Sequence, residues 1–142
     1  MKIKGTGKAD VLVGTAGSDL IDGGAGNDTI ISGAGVDTVT GGHGADTFVF
    51  NSDTQYVTIT DFNPAEGDHI LLDFGGSAST PVYAGALSDG LSLQTAGGSC
   101  TVHCVDVNGD GIMDTQFSMN GANMFVLGCT PDQLHGSDII GL

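Results

Sequence analysis

Five aspartates, Asp10, Asp19, Asp28, Asp37 and Asp46, recur at a fixed spacing of nine residues. Carboxylates offered at regular intervals suit a hard divalent cation, and calcium takes about six to eight oxygens from carboxylates and backbone carbonyls together. In that register the stretch from Gly5 to Val49 reads GTGKADVLV, GTAGSDLID, GGAGNDTII, SGAGVDTVT and GGHGADTFV. The sixth place is always Asp, and the eighth holds Leu12, Ile21, Ile30, Val39 and Phe48. The fourth holds Lys8, then Gly17, Gly26, Gly35 and Gly44. A fixed period of this length marks a stacked repeat.

To hold such an array, six glycine-rich turn residues must alternate with three strand residues whose middle side chain points inward, two repeats closing one coil. The pattern resembles the RTX family of calcium-binding nonapeptide repeats, G-G-x-G-x-D-x-U-x with U apolar, over residues 5–50. The resemblance implies an all-β fold, a right-handed parallel β-roll in which each Asp stacks over the one 18 residues away. The rows are then Asp10, Asp28, Asp46 and Asp19, Asp37, with Ca2+ bridging 10/28, 19/37 and 28/46. Carbonyls of Gly14, Gly17, Gly23, Gly26, Gly33, Gly35, Gly42 and Gly44 are the expected further ligands. Without ions the stacked carboxylates would repel by about 1 kcal/mol per pair even in water. The first repeat departs from the pattern at Thr6 and Lys8, which puts its turn in doubt.

Composition agrees. The 142 residues hold 25 Gly but 3 Pro, which points to repeated tight turns rather than a Pro-rich tract. Formal charge is −14, and the three cations, Lys2, Lys4 and Lys8, all precede the seventeen acids. Bound divalent ions are the simplest remedy for that repulsion in a packed chain. Nucleic acid and anionic membrane are poor partners for it. Hydrophobic content of 39% and mean hydropathy of +0.16 set it apart from acidic disordered chains. No stretch approaches about 20 consecutive apolar residues, and MKIKGTGKAD lacks the apolar run of a signal peptide, so neither membrane insertion nor that export route is expected.

The period stops after Phe50, which divides the chain into a roll, residues 1–50, and a C-terminal β cap of sandwich-like character, residues 51–142. YVTIT (56–60) and HILLD (69–73) read as strands around DFNPAEGD. This run resembles the segment that closes the solenoid in serralysin-like proteases; there Asp61 and Asp68 are either calcium ligands or turn-forming acids. Residues 75–99 read as loop with short strands. Strand patterns return at 100–107, 115–119 and 124–127, the first two as a hairpin around a loop. In that loop Asp106, Asn108, Asp110, Gly111 and Asp114 match five places of an EF-hand, yet Phe117 stands where its Glu belongs. An isolated calcium loop and a plain Asn-Gly/Asp-Gly turn both remain open.

Cys100, Cys104 and Cys129 allow one disulfide plus a thiol, or three buried thiols. Strand alternation puts Cys100, Val102 and Cys104 on one face and His103 on the other, against a transition-metal site. His43, His69 and His135 have no site-building spacing. The outward strand places Val11, Val13, Ile31 and Val49 form an apolar face, expected to pack on the rest of the chain or to self-associate. No H-E-x-x-H, G-x-S-x-G or phosphate-binding Gly-rich loop is present, so catalysis is not expected. The tail from Phe125 to Leu142 resembles those through which RTX proteins meet type I secretion machinery. The expected product is a secreted, extracellular or cell-surface calcium-binding protein that folds on meeting calcium and serves as a structural subunit of a layer, filament or matrix. The alternative is a non-catalytic secretion domain of a larger protease, lipase or adhesin.

Overall fold

The computed structural model describes residues 1–73, 80–81, 92–95, 98–119, 121–128, 133 and 138–141. Each repeat contributes one strand through its apolar eighth place, where strand formers replace turn formers. The strands are β1 (Lys2–Lys4), β2 (Val11–Val13), β3 (Leu20–Ala25), β4 (Thr29–Ile31), β5 (Val36–His43), β6 (Thr47–Asn51), β7 (Tyr56–Ile59) and β8 (His69–Asp73). They are followed by β9 (Thr80–Pro81), β10 (Ser92–Thr95), β11 (Gly98–Val105), β12 (Asp114–Met119), β13 (Ala122–Val126) and β14 (Ile139–Gly141).

From β1 to β8 successive strands alternate between two sheets, ordered β1-β3-β5-β7-β13-β12-β11-β10 and β2-β4-β6-β8-β14-β9. From β1 to β8 every pairing is parallel, with Leu12 beside Ile30, Ile30 beside Phe48, and Ile21 beside Val39. The offset is the expected 18 residues. It then widens, since Val39 pairs with Ile59 and Phe48 with Ile70. The extra residues sit in the turn at 52–55 and in the loop carrying the 3-10 turn Pro64–Glu66.

All five eighth-place side chains are buried between the sheets, as their period requires. Phe50, Val57, Ile59, Phe62, Ile70 and Leu72 extend this core without a break past residue 50. The antiparallel β11-β12-β13 meander joins the first sheet through parallel β13–β7 pairing, and β14 joins the second through parallel β14–β8 pairing. Both sheets thus run through the roll and beyond it.

The expected apolar outer face is only partly open. Val11 and Val13 on edge strand β2 are 71% and 58% exposed, Ile31 is half-buried, and Val49 is buried. The contrast with the other sheet is weaker than expected, because Leu20, Val36 and Tyr56 are exposed there. Among the described residues no helix is long and apolar enough to cross a membrane.

Candidate metal centre

The repeat aspartates form two hydrogen-bonded rows. Backbone N–H groups of Asp10, Asp28 and Asp46 donate to Oδ1 of Asp28, Asp46 and Asp68 at 2.8, 2.9 and 2.9 Å. Asp19 N–H donates to Asp37 Oδ1 at 2.9 Å. Each carboxylate is thereby drawn inward beneath its own turn, and Asp19, Asp28, Asp37, Asp46 and Asp68 are all buried. Holding so many acids out of water without cations is costly unless each oxygen finds a partner.

The second oxygen sorts the aspartates into two kinds. Asp10 Oδ2 accepts from Thr6 N–H and Thr6 Oγ1, both at 2.7 Å. Asp19 Oδ2 accepts from Thr15 N–H and Oγ1 at 2.5 and 3.0 Å, and its Oδ1 lies 2.9 Å from the Met1 ammonium. Both carboxyls sit below the usual range, Asp10 through the Thr6 N–H and Asp19 through the Met1 amine. By contrast, Oδ2 of Asp28, Asp37 and Asp46 is buried with no hydrogen-bond partner. Burial raises the Asp37 and Asp46 carboxyls above their usual value, despite the N–H each accepts.

The space beside these oxygens is made by glycine. A Cβ on Gly23 would stand 2.5 Å from Asp28 Oδ2 and would also strike Gly41 O of the next coil. A Cβ on Gly41 would likewise strike Asp46 Oδ2. Each missing methyl thus leaves a cradle into which a buried carboxylate oxygen is directed, and at Gly23 a carbonyl as well. At the equivalent place beside Asp37 stands Ser32, whose buried Oγ also lacks a partner and lies near enough to oppose the rise of that carboxyl. Among the described residues no three Asp, Glu, His or Cys side chains converge on one point. The donors are therefore single carboxylates, joined at Gly23 by a backbone oxygen and beside Asp37 by a hydroxyl, all hard oxygens that suit Ca2+ and offer nothing to softer metals.

Of the expected glycines, Gly26, Gly33, Gly35, Gly42 and Gly44 have positive φ, whereas Gly14, Gly17 and Gly23 do not. Gly14 and Gly23 instead provide space, and Gly17 has room for a methyl group. Gly5, Gly41, Thr15 and Ser32 escaped the sequence reading, which marks Thr6 only as a departure from the repeat pattern. Their first and second places in the register were the available signal.

Asp61 and Asp68 both come to the top of the roll. Asp61 accepts the Gly41 and Gly42 N–H groups at 2.9 and 2.8 Å. Asp68 takes the next rung of the Asp10 row and its Oδ2 accepts Asn63 N–H at 2.8 Å. Burial pushes the Asp68 carboxyl up to about 6.

The loop between β11 and β12 folds around its own amides. Asp106 accepts Gly109 and Gly111 N–H, Asn108 accepts Asp110 N–H, and Asp110 accepts Ile112 N–H. Buried Asp114 binds Val107 N–H at 3.0 Å and Gly128 N–H at 2.7 Å, tying the loop to the end of β13. Cys100 and Cys104 lie four residues apart on β11, about 13 Å at strand rise, too far to bridge each other. Burial pushes the Cys100 thiol up to about 12. His103 is exposed on the opposite face, as alternation requires. His43 is exposed, 4.0 Å from Glu66. Cys129 and His135 lie outside the described residues.

Comparison with family models agrees with this geometry. A family model described as RTX calcium-binding nonapeptide repeat (4 copies) matches residues 4–39 and 26–54. No curated protein sequence matches the chain. Among solved structures, it is similar to the AlgE6R3 subunit from the Azotobacter vinelandii mannuronan C5-epimerase, at 22% identity and a TM-score of 0.34, covering 95% of this chain and 79% of that one. It is also similar to the AlgE6R2 subunit of the same enzyme, at 24% identity and a TM-score of 0.36, covering 98% and 91%. Residues 4–54 thus match RTX calcium-binding nonapeptide repeats and fold as a β-roll, and RTX nonapeptide repeats bind calcium ions.

Proposed function

We propose that this chain is a secreted protein whose folding is triggered by extracellular calcium, and that it serves as a structural subunit of an extracellular assembly such as a surface layer, filament or matrix. The observation that carries the reading is the set of buried, unpartnered Oδ2 atoms of Asp28, Asp37 and Asp46. Ca2+ bound there supplies the positive charge that a chain with three lysines and no arginine cannot. Asp28 would hold it with the Gly41 carbonyl beside Gly23, and Asp46 would hold it beside Gly41. Asp61 and Asp68 at the top of the roll, and Asp106, Asn108, Asp110 and Asp114 in the β11–β12 loop, are further candidates once their amide partners yield.

An ion that binds only the folded chain stabilises it by RT ln(1 + [L]/Kd), about 2.7 kcal/mol at a hundredfold excess over Kd. In low calcium the chain is then unfolded and exportable by type I secretion machinery, and it folds on reaching calcium outside. Residues 1–50 form the calcium-binding roll and residues 51–142 close it. A catalytic role has no support in the residues present. Val11 and Val13, exposed on the unpaired edge of β2 with Ile31 beside them, are the candidate self-association surface.

Light scattering behind size exclusion, in millimolar calcium and again in chelator, tests both parts. The expected result is an expanded monomer in chelator and a compact, self-associating species in calcium. A compact monomer at every protein concentration in calcium would remove the assembly role, and a chain equally compact in chelator would remove the folding switch.

A further inference from the structure

The five aspartate turns are not equivalent, and the difference lies at the second place of each repeat. Repeats three to five carry Gly24, Gly33 and Gly42 there, all with positive φ, and leave Asp28, Asp37 and Asp46 with a buried Oδ2 that nothing fills. Repeats one and two carry Thr6 and Thr15, and in both the threonine N–H and hydroxyl bond that same oxygen. The Asp19 turn is closed further. Within the repeats the ladder joins each Asp N–H to a carboxylate 18 residues on, and Met1 N occupies that place for Asp19 at 2.9 Å. A backbone N–H at residue 1 would hold the same place if chain preceded it.

We propose that calcium is taken up at the Asp28, Asp37 and Asp46 turns and not at the Asp10 and Asp19 turns, which the chain closes with its own donors from Thr6, Thr15 and residue 1. This rests on the calcium reading above and adds which turns are used. A carboxylate oxygen that already accepts two hydrogen bonds loses both on turning to a cation, whereas an orphaned buried oxygen loses none. The Asp37 turn has a second orphan in Ser32 Oγ, an uncharged ligand where the other turns have glycine. The first coil is accordingly a metal-free base on which the calcium-dependent coils stack.

The test is the number of Ca2+ ions bound by the full chain, measured by equilibrium dialysis for the wild type and single variants. Ions held in the C-terminal part add equally to every count, so differences report the roll alone. Asp10→Asn and Asp19→Asn are expected to keep the wild-type number, and Asp28→Asn and Asp46→Asn to lose one ion each. Thr15→Gly turns GTAGSD into GGAGSD, close to the GGAGND of the third repeat, and is expected to gain one ion. This variant decides the matter even if Asp28→Asn does not fold. An ion lost in Asp10→Asn or Asp19→Asn, or none gained in Thr15→Gly, overturns the inference while leaving calcium binding intact. A wild-type chain that binds no ion refutes the calcium reading itself.

Discussion

The Asp28 N–H donates to Asp46 Oδ1 at 2.9 Å, so the backbone of one coil fixes the carboxylate of the next. That bond leaves Asp46 Oδ2 buried and without a donor, as the Asp10 N–H on Asp28 Oδ1 does for Asp28 Oδ2. A rung therefore does two things at once: it sets the register of the coils and aims a free oxygen at the glycine cradle. Register and metal affinity are coupled through one side chain.

Asp28→Ala removes both roles, leaving the Asp10 N–H without its acceptor and one cradle without its carboxylate. The lost acceptor alone is worth about 1–3 kcal/mol. Calcium-induced folding, followed by circular dichroism, is expected to need a markedly higher calcium concentration in Asp28→Ala. Asp53→Ala, at an exposed position, is expected to stay within about 0.5 kcal/mol of wild type. Equal midpoints for the two variants would contradict the ladder.

Gly23→Ala places a methyl group in the cradle, against Asp28 Oδ2 and Gly41 O. The expected outcome is a steep loss of calcium response in a titration. Gly7→Ala is the control, since nothing lies within 4 Å of a Cβ there and its φ is ordinary. A Gly23→Ala chain with wild-type response would show that the cradle is not where the ion sits.

Acid is expected to stabilise the calcium-free fold. The folded Asp68 carboxyl is raised to about 6 by burial, from an ordinary 3.8, and those of Asp37 and Asp46 are raised too. A raised carboxyl binds more protons folded than unfolded, so its stabilisation is complete below the unfolded pKa and is lost as pH climbs through the folded one. Asp10 and Asp19 are shifted the other way and work against this only as pH falls through their lowered values. Circular dichroism in calcium-stripped buffer should thus show less residual β-structure at pH 6 than at pH 4. More β-structure at pH 6 than at pH 4 would contradict the burial of unpaired carboxylates.

With Cys104 and Cys129 replaced by serine, Cys100 becomes a reporter of the core. Its thiol is fully buried and pushed up to about 12, so a maleimide should react slowly in calcium and readily in chelator. Equal rates in both would mean that β11 does not depend on the roll for its packing.

The nine-residue period made β2, β4 and β6, their 18-residue register and the inward row from Leu12 to Phe48 legible, because period and burial are the same physical fact in a solenoid. Alternation alone also placed Cys100 and Val102 inside and His103 outside. The widened offsets to Ile59 and Ile70 were not legible, since the inserted turns carry no repeat signal. Asp68 was read as a candidate ligand, but its place as the next rung depends on those offsets. Thr6 already put the Asp10 turn in doubt, but the closure of Asp19 was hidden for another reason: Thr15 looks like a tolerated exception until its hydroxyl is seen on the carboxylate. The burial of Val49 likewise depends on chain beyond the repeats.

The most direct measurement is a calcium titration of the full chain at neutral pH, followed by far-ultraviolet circular dichroism and hydrodynamic radius together. The expected result is a cooperative gain of β-structure with contraction, reversed by chelator. A β-rich, compact chain in the absence of calcium, unchanged by adding it, would contradict the account.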